Sequence, residues 1–136
     1  MMKYKYLQGV ITSDVMFEAY GKTPREVFEN AAIAMSETIC HDVESRISIR
    51  VRVKGKNLKD LLYNWLQELI AQIDIEEMFF SKFKILKITE TELEAELFGE
   101  PITPEKGETV VKAVTYHGFD LRIKKDRYVA TVSVDI

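Results

Sequence analysis

Asp14, Lys112 and Asp135 are the residues of this chain whose types could share one piece of chemistry. Asp135 is next to last, so its carboxylate lies close to the free α-carboxylate of Ile136. Adjacent carboxylates repel unless a cation sits between them. If the fold brings Asp14 to the same place, three carboxyl groups converge, and an all-oxygen set suits Ca²⁺ or Mg²⁺ rather than zinc. The rival readings are an Asx turn for Asp14 and a solvated chain end for Asp135. Lys112 stands in Thr109-Val110-Val111-Lys112-Ala113-Val114-Thr115-Tyr116, where both faces of an expected strand are largely apolar. A lysine there must reach out to water, pair with a carboxylate, or lose its proton.

The remaining chemistry-bearing residues offer less. Cys40 is the only cysteine, which rules out an internal disulfide and a multi-cysteine zinc site. A lone thiol near a helix end reads first as a small buried hydrophobe. His41 and His117 lie far apart in the sequence, and His117 sits beside an expected turn, where a histidine more often bonds backbone than acts as a base. The chain carries no GxxxxGK loop, GxGxxG, HExxH or GxSxG motif. No self-sufficient catalytic site is legible.

Composition narrows the setting. The 136 residues suit one domain, 1–136, and a hydrophobic fraction of 46% is enough for a core. No run approaches a membrane span, and Met1-Met2-Lys3-Tyr4-Lys5 begins no apolar leader, so a cytoplasmic protein is expected. The net charge of −3 argues against strong RNA binding, since phosphate contacts need a basic surface. Two local basic runs exist, Arg50-Arg52-Lys54-Lys56 and Arg122-Lys124-Lys125-Arg127, and both read as solvated strand faces.

The elements that must position these residues follow from periodicity. Residues 4–20 read as two strands broken by Gly9 and Thr12-Ser13-Asp14. Thr23-Pro24-Arg25-Glu26 opens a helix running to about Ile39, with Phe28, Ala31, Ala32, Met35 and Ile39 as its buried stripe. Ile47, Ile49, Val51 and Val53 alternate with polar residues in the clearest strand. Asn57 caps a second helix whose core stripe is Leu58, Leu61, Leu62, Trp65, Leu66, Leu69, Ile70 and Ile73, with β-pattern returning after Asp74. Strands are expected around 83–88, 93–97, 109–116, 119–125 and 128–135, with a turn at His117-Gly118. The result is an α+β layered sandwich, two helices packed on one face of a mostly antiparallel sheet.

Val111-Lys112-Ala113-Val114-Thr115-Tyr116-His117 resembles the most characteristic segment of the archease family. Thr12-Ser13-Asp14-Val15, Ala19-Tyr20-Gly21-Lys22-Thr23, Phe28-Glu29-Asn30-Ala31-Ala32, Asp60-Leu61-Leu62-Tyr63-Asn64-Trp65-Leu66 and Phe98-Gly99-Glu100-Pro101 resemble further family segments in the same order, the last of them a turn. The resemblance covers essentially the whole chain. It implies a non-enzymatic activator of an RtcB-type RNA ligase in tRNA splicing and repair. Such an activator promotes attachment of GMP to the ligase histidine, with GTP and Mn²⁺, and restores stalled ligase. It also implies a divalent-cation site, calcium first with magnesium or manganese as alternatives, on Asp14, Asp135 and Ile136. Lys112 would be functionally important, with His117 and Asp42 as further partner-facing candidates. Three departures stand out: Ile11 replaces the motif's leading histidine, Ser13 its alanine and Met16 its final glycine. Rival functions are a general chaperone or adaptor for RNA-modifying enzymes, which would use an exposed apolar patch, and a small metal-dependent enzyme.

Overall fold

The computed structural model describes residues 2–7 and 14–136; Gly9, Ile11, Thr12 and Ser13, which bear on the expected break and motif, lie outside the described residues. The elements run β1 (Tyr4–Leu7), β2 (Asp14–Gly21), α1 (Pro24–Ile39), β3 (Ile47–Lys54), α2 (Leu58–Glu76), β4 (Met78–Ile88), β5 (Glu92–Pro101), β6 (Ala113–Lys124) and β7 (Arg127–Asp135). This is the expected α+β class with antiparallel pairing throughout, but the strands divide into two sheets rather than one. One sheet has the order β1-β2-β7-β6 and the other β3-β5-β4. Each helix touches strands of both sheets.

Local sequence explains both helices. In α1, the Thr23 hydroxyl accepts from the Glu26 amide at 3.2 Å, and the Glu26 carboxylate accepts from the Lys22 amide at 3.2 Å. In α2, Asn57 accepts from the Asp60 amide at 2.9 Å and Asp60 from the Lys56 amide at 2.8 Å. These reciprocal bonds satisfy amides that a helix start leaves free. The β-pattern expected after Asp74 begins slightly later, because α2 continues to Glu76 and ends on Glu77 in a left-handed conformation, φ 53°. A Cβ on Gly21 would lie 2.3 Å from the Val27 amide nitrogen, so only glycine lets β2 turn this closely into α1. The stripes meet in the core, where Trp65, Phe17, Phe28, Leu61, Leu62 and Leu66 are fully buried. The Trp65 indole N–H donates to the Phe28 carbonyl at 3.0 Å, locking α2 to α1.

The C-terminal hairpin departs most from expectation. The expected strand at 109–116 and turn at His117-Gly118 are replaced by a loop to Lys112 and one strand running through to Lys124. Between Thr115 and Asp120 the register against β7 shifts. Gly118 sits there at φ 76°, a conformation a bulge uses and most side chains avoid. The bulge changes which residue parity faces inward, so Val114 and Phe119 are both buried. The true turn is Lys125-Asp126, both with positive φ, as a two-residue type I′ hairpin requires.

Candidate functional site

β7 lies between β2 and β6, and its register decides what the sheet's corner carries. Asp14 pairs with Asp135, and Ala113 pairs with Asp135 from the other side. Directly opposed residues share a face, so the two aspartates lie side by side on the polar face. Neither makes an ion pair within 4 Å among the described residues. Asp14 accepts a bond from the Ser133 hydroxyl at 3.3 Å. Val134 and Val132, on the opposite face of β7, are buried and hold the strand down.

Two contacts fix the neighbours. The Lys112 backbone N–H donates to the Asp135 carbonyl at 2.8 Å, bringing that residue to the same corner. Its side chain is exposed and stands before β6, so the expectation of a fully buried strand around it is overturned. Of the three readings open for Lys112, the one that reaches water fits this position. Val111 is buried but Val110 is 77% exposed: the apolar run reflects a loop over a groove, not a strand interior. Ile136 packs its side chain against the core cluster, which holds the backbone after Asp135 at the corner.

Sequence reasoning missed what holds the start of β6. Val114 turns its N–H and C=O away from β7, toward the open edge. The Gln67 side-chain oxygen accepts from the Val114 amide at 2.8 Å, and the Tyr63 hydroxyl donates to its carbonyl at 3.0 Å. Tyr63 and Gln67 stand four apart on α2, one turn of the same helix face; their polar ends on the flank of an apolar stripe were the available signal. Replacing Gln67 by Ala strands an amide that is hard to hydrate. The expected cost is about 1–2 kcal/mol, with faster hydrogen exchange at Val114 as the direct readout; unchanged exchange would show that the bond contributes nothing.

The other candidates fall elsewhere. His117 is exposed on the β6 bulge, on the order of 10 Å along the strand from Ala113. Asp42 lies after α1 with φ 51°, and no hydrogen bond or ion pair connects it to Asp14 or Asp135 among the described residues. Its neighbour His41 meets Glu108 at 2.7 Å. Cys40 is buried, and burial pushes its thiol pKa up, which suits a packing residue rather than a nucleophile. No group of three or more His, Cys, Asp or Glu side chains gathers among the described residues. A cation at the corner would have the Asp14 and Asp135 carboxylates as its charged side-chain ligands. Two facing, unneutralised carboxylates fit that group, and their hard oxygen donors fit calcium or magnesium.

The loop leading to Lys112 is moored by Glu100, buried at the end of β5; the segment Phe98–Pro101 is thus strand rather than a turn. Its carboxylate accepts from the Glu44 amide and from the Lys106 ammonium at 3.0 Å. The Glu44 amide first, then Lys106, holds its pKa below the ordinary glutamate value. A depressed pKa adds stability that is present above the ordinary value of 4.5 and is lost as pH falls through the folded value. The melting temperature is expected to fall more between pH 6 and pH 3 in the native protein than in Glu100→Gln; parallel acid limbs would contradict this.

Beside the corner runs an open groove of about 500 Å³, lined by Ile70, Ile73, Phe79, Ile102, Val110 and Lys112. No helix among the described residues is long and apolar enough to cross a membrane. Comparison with known proteins then decides the family: the model of the Archease protein family matches residues 4–136. The chain belongs to the archease family. It is 38% identical over 141 residues to a Sulfurisphaera tokodaii protein archease, covering 100% of both chains. Against a Pyrococcus abyssi protein archease the identity is 40% over 136 residues, covering 92% of this chain and 94% of the relative. The solution structure of Methanobacterium thermoautotrophicum protein 1598 superposes with a TM-score of 0.85 at 33% identity, covering 100% of both chains. The crystal structure of an archease and possible chaperone from Thermotoga maritima shares the fold, with a TM-score of 0.69 at 18% identity, covering 97% of this chain and 99% of that one.

Proposed function

We propose that this archease is a non-catalytic accessory protein that activates an RtcB-type RNA ligase in tRNA splicing and RNA repair, promoting ligase guanylylation and turnover in the cytoplasm. The observation that carries the reading is the facing pair Asp14 and Asp135 at a corner that also receives the Lys112 backbone. A divalent cation bound by Asp14, Asp135 and the carboxylate of Ile136 would neutralise the pair and fix a compact charged tip. Calcium is the first choice, with magnesium or manganese as alternatives. Such a tip can enter a pocket built for GTP and Mn²⁺ and adjust the position of metal or nucleotide there. Lys112 supplies a cation suited to phosphate.

The test incubates the purified protein with its cognate ligase, GTP and Mn²⁺, and counts the ligase–GMP adduct. A faster rise of adduct, and turnover beyond one round, are expected. No change in either overturns the proposal, and RNA joining without ligase would make the protein an enzyme instead.

The exposed apolar wall of the groove favours a second reading, a general chaperone or adaptor for RNA-modifying enzymes. That role predicts suppression of aggregation in unrelated proteins and tolerance of charge loss at Asp14 and Asp135. Ligase activation predicts neither.

A further inference from the structure

The outer face of β3-β5-β4 is a strongly charged surface that the site above does not use. Antiparallel register assembles it in rows. Arg50, Glu96 and Lys84 form one row, and Arg52, Glu94 and Lys87 the next. Lys54 stands opposite Glu92, and Lys82 opposite Phe98. Each outer strand thus carries a line of cations, and the central strand a line of carboxylates. With neighbouring strands about 4.8 Å apart, the two cation lines run about 10 Å apart.

The charges do not cancel. Six cations, Arg50, Arg52, Lys54, Lys82, Lys84 and Lys87, face three carboxylates, Glu92, Glu94 and Glu96, which leaves three positive charges in excess on a chain of net charge −3. Only Arg52 among the six makes an ion pair within 4 Å, with Glu94 at 2.8 Å. Half of the other basic run is spent inside the molecule: Arg122 bonds Glu18 and Asp120, both at 3.3 Å, and Arg127 lies 4.1 Å from the Tyr20 ring, while Lys124 and Lys125 are exposed beside a turn. The basic run at 50–54 has no such internal use beyond Arg52. Phe98 adds a partly exposed aromatic ring on the central strand, with the Lys82 ammonium 5.0 Å from its centroid. A shallow cleft of about 210 Å³ opens between Arg52, Lys54, Lys87 and Glu92.

We propose that this sheet face binds single-stranded RNA, its cation lines tracking the phosphates and Phe98 stacking one base. Charge complementarity calls for a polyanion, and an aromatic ring on an open sheet amid basic residues is the arrangement that holds single strands without sequence preference. The choice of RNA over other polyanions rests on the RNA-ligase reading. Binding is modest, because the central carboxylates offset half the cations. It is an auxiliary contact that keeps the activator near a ligase already holding RNA.

The test is a fluorescence-anisotropy titration of a labelled, mixed-sequence single-stranded oligoribonucleotide with the intact protein, without ligase, across a salt series. Saturable binding is expected at 50 mM salt, with a log–log salt slope of about −2 to −3, as three to four phosphate contacts give for single strands. Arg50→Glu with Lys84→Glu should weaken it about tenfold or more, and Phe98→Ala about fivefold or more, with native circular dichroism. Lys124→Glu, on the other sheet, should leave it unchanged. The proposal is overturned by absence of binding, by equal binding in the double variant, or by a poly-glutamate peptide that competes as well as RNA. Because no ligase is present, these outcomes are independent of whether the protein activates one. A double variant that loses RNA yet still stimulates adduct formation would support the face and the corner as separate sites.

Discussion

Asp135→Ala is expected to reduce adduct formation to the rate of ligase alone. The variant removes one of two carboxylates that face each other across the β2–β7 ladder. Substitutions that merely support a ligand lower metal affinity by about 10–100-fold, so losing a charged ligand should exceed the upper end. The fold has little reason to suffer, since Asp135 is only half-buried at the end of its strand. Like charges directly opposite in a sheet are destabilising by a few tenths to about 1 kcal/mol. The variant's melting temperature in a chelator should therefore equal or exceed that of the native protein, while the native protein alone gains stability on adding calcium. A companion variant extended past Ile136 keeps both aspartates but moves the terminal charge, and it too should lose activation. An extended protein that activates fully would remove Ile136 from the ligand set. A fully active Asp135→Ala would remove the cation site from the mechanism.

Trp65→Ala carries the largest expected cost to stability. The side chain is fully buried, meets Phe83 edge to face at 6.4 Å between centroids, and bonds the Phe28 carbonyl. Truncating a buried aromatic costs about 3–5 kcal/mol, and here the Phe28 carbonyl also loses its partner. For a domain of this size that is a fall of about 10 °C or more in melting temperature. Trp65→Phe restores much of the volume but not the donor, so it should fall between the two. A loss below a few degrees in the alanine variant would mean that the core closes over the gap.

Helices were legible because their signals are local. Thr23, Pro24 and Asn57 mark starts, and apolar spacing shows which side goes inward. The division into two sheets was not, since pairing β5 with β3, and β7 with β2, joins residues far apart in the chain. The same limit applies to the site. Alternation placed Thr131, Ser133 and Asp135 on one face, but nothing short of the register could set Asp14 opposite Asp135. The family resemblance named that set; the residues alone favoured a turn for Asp14 and a solvated chain end for Asp135. Lys112 misled because an apolar run reads alike whether it is a strand interior or a loop covering a groove. Tyr63 and Gln67 were missed because their polar ends show on the α2 pattern but the Val114 backbone groups they meet do not. Arg50, Lys84 and Phe98 come from three strands, and their convergence appears only once those strands are aligned.

The position of β7 in its sheet has a consequence for how the molecule is made. β3, β4 and β5 are contiguous in the chain but for α2 and can pair as they leave the ribosome. β2 emerges before any of them, yet its inner neighbour is the last strand synthesised. Until β7 arrives, β2 presents an unpaired edge, and β6 lacks the strand it pairs with. β7 meets β6 through the two-residue turn at Lys125-Asp126, so closing the sheet means docking that hairpin on β2, a non-local step of the kind that slows folding. Asp14 stands on β2 and Asp135 on β7, so the facing pair cannot form until β7 has docked on β2. A nascent chain that stalled before β7 would carry all three strands of the second sheet and no acidic corner at all.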